Sequence, residues 1–111
     1  MKYETYHNEI QKGLLIVAVL QTLDGRQMYS SEIIKHLAKS EYKTQEGTLY
    51  PLLSKMKREG LLVHEWTESK SGPPRKYYSL SKEGEDLRQR LMGSVINSAS
   101  SLKKLRKKDM K

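Results

Sequence analysis

Residues 44–78 join a helical pattern to a short hairpin, and this combination restricts the fold more than any other part of the sequence. Apolar side chains recur at helical spacing up to Gly60, a residue type that commonly ends a helix. Residues 61–68 are rich in β-branched and aromatic side chains, and residues 77–80 offer an antiparallel partner strand. Between them, residues 69–74 contain one Gly and two Pro, which favour a stiff turn. We therefore predict a helix followed by a two-stranded hairpin with a basic tip.

Two helices are predicted before this segment. Residues 8–23 carry apolar side chains around most of the helical circumference, so a helix there must be covered on more than one side. The expected covers are the core of the chain itself and a second subunit. A second helix is expected to begin with Ser30 or Ser31 as its N-cap, because a hydroxyl can accept an otherwise unpaired backbone N–H.

The third helix is predicted to have an apolar back and a polar front, with its start at Thr44 or Thr48. A start at Thr44 places Pro51 inside the helix and requires a local bend, whereas a start at Thr48 leaves Pro51 in the first turn. In either case Gly47 keeps the backbone bare at the leading end, where N–H groups and the helix dipole favour a phosphate.

A long helix is predicted after the hairpin, with Ser81 as its N-cap. Apolar side chains recur over about seven turns at Leu87, Leu91, Val95, Ala99, Leu102 and Leu105. This single narrow stripe is flanked by Lys and Arg, and the core of one chain is too small to cover its full length. Packing against another chain best explains the stripe. Small side chains at 97–101 permit close approach of a neighbouring backbone, leave room for a ligand, or form a weak helical stretch that faces solvent.

The composition favours one small domain that shares apolar surface with a partner. The 111 residues suffice for one domain with a single core. Hydrophobic residues make up 36% of the chain, Phe is absent and charged residues reach 31%, so the core of an isolated chain would be thin. We therefore expect an oligomer.

The net charge of +8 favours an anionic partner, either nucleic acid or an acidic membrane surface. The distribution of charge limits this argument, because residues 103–111 hold six of the 21 Lys and Arg residues against one Asp. The first 102 residues thus carry a net charge of only +3. A nucleic-acid hypothesis must therefore rest on which face of the protein carries the cations.

Several classes of protein are excluded. The absence of Cys excludes disulfides, thiolate metal sites and cysteine nucleophiles, and it suits the cytoplasm. The longest apolar run, residues 14–20, is far shorter than the roughly 20 residues of a membrane-spanning helix, and no signal-peptide cleavage site follows it. The three His residues lack metal-ligand spacing, and neither a nucleophile elbow nor a Gly-rich phosphate loop is present. We expect a cytoplasmic protein that is not an enzyme and needs no metal or cofactor.

These elements form the layout of a winged helix-turn-helix, a mainly α fold with a small two-stranded wing, followed by a long C-terminal helix. The chain resembles the PadR-like transcriptional regulator family, in its short subfamily with one C-terminal helix. The resemblance covers residues 8–105. It rests on Glu46-Gly-Thr-Leu-Tyr-Pro-Leu-Leu53, Glu59-Gly-Leu-Leu62, Gly72-Pro-Pro-Arg-Lys-Tyr-Tyr78 and Leu80-Ser-Lys-Glu-Gly84.

The resemblance implies a homodimeric regulator, typically a repressor, with residues 1–80 as the DNA-binding domain and residues 81–111 as a dimerisation helix and basic tail. The third helix would enter the major groove of DNA. The DNA-facing residues would be Thr44, Gln45, Gly47, Thr48, Tyr50, Ser54 and Lys55 from that helix and Lys70, Arg75 and Lys76 from the wing. The first and last helices would form the dimer interface through Leu14, Leu15, Val19, Leu87, Leu91, Val95, Ala99 and Leu102.

Some members of the family bind flat hydrophobic molecules in a pore at the dimer interface, stacked on an aromatic residue of the last helix. The resemblance therefore allows for a small-molecule effector that binds at the dimer interface. This chain departs from that pattern, because no aromatic residue follows Tyr78.

Tyr50 and Arg75 each have two possible roles, and Trp66 is expected to have a packing role. Tyr50 could reach a phosphate with its hydroxyl or pack as an amphipathic ring. Arg75 could contact a phosphate or pair with Glu65 or Glu68 across the hairpin. Trp66 is expected to pack between the hairpin and the helices.

The leading hypothesis is a dimeric, sequence-specific regulator whose two third helices enter successive major grooves roughly 34 Å apart on a near-palindromic operator. A protein-interaction module on the same scaffold, such as an anti-activator, would instead give a heterocomplex and no footprint on DNA. A non-regulatory DNA-binding role such as plasmid partition would give cooperative filling of a long site with tandem repeats.

Overall fold

The computed structural model describes residues 2–69 and 72–106. Within these residues the chain forms four α-helices and one two-stranded antiparallel sheet. The predicted mainly α fold with a small β-wing and a long C-terminal helix is confirmed. In chain order the elements are α1 (Tyr3–Thr22), α2 (Ser30–Lys39), α3 (Glu46–Arg58), β1 (Leu62–Ser69), β2 (Gly72–Leu80) and α4 (Lys82–Lys104).

The core lies between α1, α2, α3 and the base of the hairpin. Its members are all at most 4% exposed: Val19, Leu20, Leu23, Ile33, Leu37, Leu49, Leu53, Met56, Leu62 and Tyr78. Their spacing within each helix follows the helical repeat, which explains why the pattern was readable from the sequence. Val19 has no exposed surface, so it belongs to this core and its predicted place in the dimer interface is wrong.

Both α1 and α2 begin at residues other than those predicted. α1 begins at Tyr3 rather than near residue 8, and its first two turns are mostly exposed. α2 has Tyr29 as its N-cap, rather than Ser30 or Ser31. The carboxylate of Glu32 accepts a hydrogen bond of 3.1 Å from the backbone N–H of Tyr29. This hydrogen bond from the N-cap backbone to the Glu32 side chain stabilises the start of the helix without a serine hydroxyl.

α3 begins at Glu46, between the two predicted starts, with Gln45 as its N-cap. Pro51 therefore lies inside the helix, beyond the first turn, where it cannot donate a backbone hydrogen bond to the preceding turn. Gly60 has a φ of 78°, a left-handed conformation that glycine adopts without steric cost. The predicted end of the helix at this glycine is confirmed.

The hairpin is longer than the sequence predicted. β2 begins at Gly72 rather than at residue 77, and the strands pair from Leu62 and Leu80 at the base outward. Pro73 and Pro74 lie within β2 rather than in the turn. A two-stranded sheet has an edge on each strand where no ladder hydrogen bond is needed, and proline is tolerated there.

The start of α4 is pressed against the backbone that follows α3. The Ser81 hydroxyl accepts a hydrogen bond of 3.0 Å from the N–H of Gly84, as predicted for an N-cap. The backbone N–H of Ser81 donates to the carbonyl of Leu61 at 3.0 Å. Gly84 is buried, and a Cβ atom at this position would overlap the carbonyl oxygen of Leu61. A side chain at residue 84 would therefore push α4 away from the wing base.

Arg88 connects α4 to the end of α1. Its guanidinium donates hydrogen bonds to Gln21 at 2.7 Å and to Glu85 at 2.6 and 3.0 Å. The carboxylate of Asp24 lies 3.6 Å from its Nε atom. The Arg88 side chain is only 14% exposed, so these contacts fix the angle at which α4 leaves the domain.

The Arg88 contacts should make stability depend on acid pH. The hydrogen bond from Arg88 holds the pKa of Glu85 below its usual value of 4.5. The stabilisation is complete above that value and is lost as the pH falls through the lower folded pKa. In Arg88→Met the decline of the melting temperature below about pH 5 should be shallower than in the wild type.

Thermal unfolding across this pH range checks the prediction, with Arg90→Met as the matched control. Arg90 faces Asp86 at 3.8 Å, but both side chains are exposed, so this pair should contribute little. A melting-temperature difference between the wild type and Arg88→Met that stays constant between neutral and acid pH contradicts the assignment.

Candidate nucleic-acid interface

Most of the residues predicted to face DNA from the third helix are exposed. Leu49, Leu53 and Met56 are fully buried on the opposite side and anchor the helix to the core. Six predicted residues are exposed: Gln45, Gly47, Thr48, Tyr50, Ser54 and Lys55. The helix therefore presents hydroxyl, amide and ammonium groups on a rigid support.

Thr44 does not belong to this helical surface. It lies two residues before the first residue of α3, and its Oγ1 atom is buried without a hydrogen-bond partner among the described residues. The prediction that Thr44 faces outward from the third helix is therefore wrong about its position. Thr44 is half-buried in the segment before α3.

Tyr50 links α3 to the start of α2. The Ser30 hydroxyl donates a hydrogen bond of 3.0 Å to the phenol oxygen of Tyr50. Tyr50 is 45% exposed, so its ring is neither wholly packed nor free. Because its oxygen accepts from Ser30, the O–H of Tyr50 can donate outward. Ser30 was not among the predicted site residues, and only its expected capping role drew attention to it.

The cations of the wing are positioned by aromatic rings. The guanidinium of Arg75 lies 4.3 Å from the centroid of the Tyr29 ring, and the ammonium of Lys76 lies 5.2 Å from that of Trp66. Tyr29 in turn meets Tyr77 edge to face at 5.3 Å. Arg75 thus contacts a ring on the helix side of the wing, in contrast to the predicted alternative of pairing across the hairpin. Nothing in the sequence pattern marked Tyr29 as its partner.

The predictions for Lys70 and Trp66 of the wing are not confirmed. Lys70 lies outside the described residues, so its predicted contact with DNA stays a prediction. Trp66 is 63% exposed, and the expectation that it packs between the hairpin and the helices is wrong. Strand alternation places Trp66 on the same face as Tyr78, but only the base of that face reaches the core.

A groove of about 430 Å³ separates α3 from the wing. The side chains that matter for its chemistry are Tyr50 and Ser54 of α3 and Trp66, Arg75 and Lys76 of the wing. The N-terminal turn of α2 closes one side with Ser30 and Ser31. Glu46 also lines the groove and is its acidic member among the described residues.

His64 adds no positive charge to this region near pH 7. Partial burial lowers the pKa of its imidazole, and the nearby Lys57 and Lys76 lower it further. The ring meets Trp66 edge to face at 6.2 Å. The positive charge of the wing therefore comes from its Lys and Arg side chains.

Known proteins resemble this arrangement of helix, turn, second helix and basic wing in sequence as well as in shape. Residues 19–90 match the Transcriptional regulator PadR-like family. The chain belongs to the PadR-like family. Its members are transcriptional regulators that bind DNA and are not enzymes. The predictions that this PadR-like chain is a DNA-binding regulator and that it is not an enzyme therefore hold.

Solved structures of other PadR-like proteins share the fold. A PadR-like transcription factor from Bacteroides fragilis is 35% identical, with a TM-score of 0.78 over 92% of this chain and 99% of that chain. A PadR family transcriptional regulator from Eggerthella lenta is 29% identical, with a TM-score of 0.85 over 92% of this chain and 89% of that chain. A PadR-like transcriptional regulator from Bacillus cereus is 28% identical, with a TM-score of 0.78 over 87% of this chain and 95% of that chain. A search of curated proteins gave no match.

Other kinds of site are not evident in the part of the PadR-like chain that the structure describes. No group of three or more His, Cys, Asp or Glu side chains in residues 2–69 and 72–106 is placed to hold a metal ion. Among the helices of these residues, none has the length and apolar character needed to cross a membrane.

The residues predicted to form the dimer interface differ in how deeply the single chain buries them. Leu15, Leu87 and Leu91 pack partly against the core of the same chain. Leu14 and Val95 are also half-buried, and they line a cavity between α1, α2 and α4. Ala99 and Leu102 are exposed. Ile96 is 64% exposed and was missed, because it lies beside the stripe that the predicted interface followed.

Proposed function

We propose that this PadR-like chain is a cytoplasmic repressor that binds a near-palindromic operator as a homodimer, through α3 and the wing. The observation that carries the proposal is that exposed side chains of α3 and two wing cations border the same groove. Cations that contact phosphates position a protein on a duplex, while side chains that reach base edges provide specificity. A dimer bound over a promoter would exclude RNA polymerase.

The exposed face of α3 suits the major groove. That groove is about 12 Å wide and admits an α-helix. Gln45 carries an amide, the group that pairs with adenine in two hydrogen bonds, and Lys55 carries an ammonium that suits guanine or a phosphate. Gln45, the N-cap of α3, and Thr48 and Ser54 within the helix are all exposed. We assign base readout to these side chains.

The dimer completes the proposed site. Residues 1–80 form the DNA-binding part of each protomer, and residues 81–111 form the dimerisation helix and basic tail. Two copies of α3 related by a two-fold axis would enter major grooves about 34 Å apart, or a multiple of that distance. The operator should therefore be nearly palindromic.

Removal of the two wing cations should weaken operator binding and its dependence on salt. Each phosphate contact releases counterions, and its loss lowers the slope of log affinity against log salt by about 1. Arg75→Ala with Lys76→Ala should therefore reduce the slope by about 2. Titration of labelled operator at several salt concentrations measures this slope.

Lys82→Ala with Arg90→Ala is the matched control. It removes the same formal charge from exposed positions in the first turns of α4, away from the groove. Its slope should equal that of the wild type. Equal slopes for the wing variant and the wild type would show that the wing does not touch phosphate.

A further inference from the structure

Trp66 exposes an unusually large apolar ring at the edge of the proposed interface. Its side chain is 63% exposed, although tryptophan is highly buried on average in folded proteins. Large exposed apolar surfaces mark sites of interaction more often than isolated small ones do. The ring forms part of the groove between α3 and the wing, together with Tyr50, Ser54 and Lys76.

Trp66 is paired with a cation on the same face of the hairpin. Trp66 and Lys76 are direct partners in the strand register, and the ammonium lies 5.2 Å from the ring centroid. An ammonium above an indole is attracted by the ring and stays near it. The wing thus offers an exposed apolar ring with a positive charge over one of its faces.

This pairing of surfaces matches the backbone of duplex DNA. That backbone alternates deoxyribose, which presents C–H groups, with phosphate, which is an anion. We propose that Trp66 is a further DNA-contacting residue, with its indole packed against a deoxyribose while Lys76 binds the adjacent phosphate. The inference rests on the proposed function and adds an apolar contact to it. Glu46 would repel a phosphate, which favours placing that phosphate beside Lys76, the cation on the same hairpin face as Trp66.

Few ligands other than duplex DNA are consistent with the composition of this groove. Arg75 and Lys76 outnumber Glu46 among its charged side chains, so an anion is favoured. No residue of α1 or α4 lines the groove among the residues described, so the proposed dimer contact leaves it open. Duplex DNA on α3 is the one anion that the proposed function already brings to this place.

The chain carries its own probe for this contact, because Trp66 is its single tryptophan. The experiment follows quenching of Trp66 fluorescence by acrylamide, with free protein and with protein saturated by a duplex selected from a random pool. Saturation is established independently by anisotropy of a labelled duplex. The duplex should shield the ring and reduce quenching, and Trp66→Ala should weaken binding by about tenfold, as expected for the loss of one buried apolar side chain.

Matched variants separate contact from folding. Trp66→Phe retains an apolar ring and should bind within about threefold of the wild type, because most of the packing area is kept. Trp66→Ala should retain the wild-type melting temperature, since its side chain lies outside the core. The quenching of wild-type Trp66 needs no variant and decides the question even if a variant folds poorly.

The outcomes distinguish this inference from the proposed function. Duplex binding by anisotropy with unchanged quenching overturns the Trp66 contact and leaves the proposed function standing. Stronger shielding by a single strand of the same sequence would mean base stacking and also overturns packing on a duplex sugar. No duplex binding by anisotropy overturns the proposed function and the Trp66 contact with it.

Discussion

Replacing Ile96 and Leu102 with aspartate should convert the proposed dimer into a monomer and lower operator affinity by about 10²- to 10⁴-fold. The magnitude follows from losing the second of two linked binding modules, whose avidity commonly exceeds single-site affinity by this factor. Light scattering gives the oligomeric state, and titration of the operator gives the affinity. The change should leave the winged part folded, because both side chains are exposed in the single chain.

The exposed apolar surface at the ends of α1 and α4 is the reason for this expectation. Arg88 bonds Gln21, while Val95 shares a cavity with Leu14, so the two helices run antiparallel. The start of α1 and the end of α4 therefore extend in the same direction. Both ends carry exposed apolar side chains: Tyr3, Tyr6, Ile10, Ile96, Leu102 and Leu105. Water around these groups is released if a second copy covers them.

Val63→Asp is the control for the aspartate substitutions. Val63 is an apolar side chain of β1 that is 49% exposed, so it receives the same kind of substitution, with one added negative charge instead of two, outside α1 and α4. This variant should remain a dimer. A wild-type protein that is already monomeric at micromolar concentration would remove the basis for assigning these helix ends to an interface.

Gly84→Ala should destabilise the fold by about 3 kcal/mol, at the upper end of the usual cost of overpacking. The new methyl group would overlap the carbonyl oxygen of Leu61 and lie 3.0 Å from its carbonyl carbon. Both atoms belong to the backbone, so no side-chain rotation can relieve the overlap. A melting-temperature decrease of about 12–20 °C is expected in thermal unfolding.

Gly93→Ala provides the matched control in the same helix. A Cβ atom there meets nothing within 4 Å, so the substitution should stabilise α4 by about 0.5–1 kcal/mol through higher helix propensity. Opposite signs for the two alanine variants would locate the effect at the contact with Leu61. A neutral Gly84→Ala would show that α4 can shift away from the wing base.

The fold could be predicted from the sequence where period and burial coincide. Leu49, Leu53 and Met56 recur at helical spacing and are all buried, so the orientation of α3 followed directly. The start of α2 could not be predicted in the same way. It depends on the carboxylate of Glu32 bonding the N–H of Tyr29, and the neighbouring serines offered an equally good N-cap signal.

Contacts between secondary-structure elements could not be predicted from the sequence. An α1 that is apolar around most of its circumference does not reveal which side its own core covers, and Val19 was assigned to the wrong side for this reason. Alternation along β1 shows which residues share a face but not how far that face is covered. Trp66 therefore looked like a packing residue until its position beyond the core was known. The Tyr29 ring beneath Arg75 had no sequence signal at all.

Footprinting on a duplex selected from a random pool by the purified protein tests the central claim most directly. A homodimer that reads DNA through α3 and the wing predicts a near-palindromic selected sequence with two protected segments. Their centres should lie about one helical turn apart, or a whole number of turns. A pool that yields no enriched sequence, or protection that spreads along the duplex as protein is added, would contradict a sequence-specific homodimer.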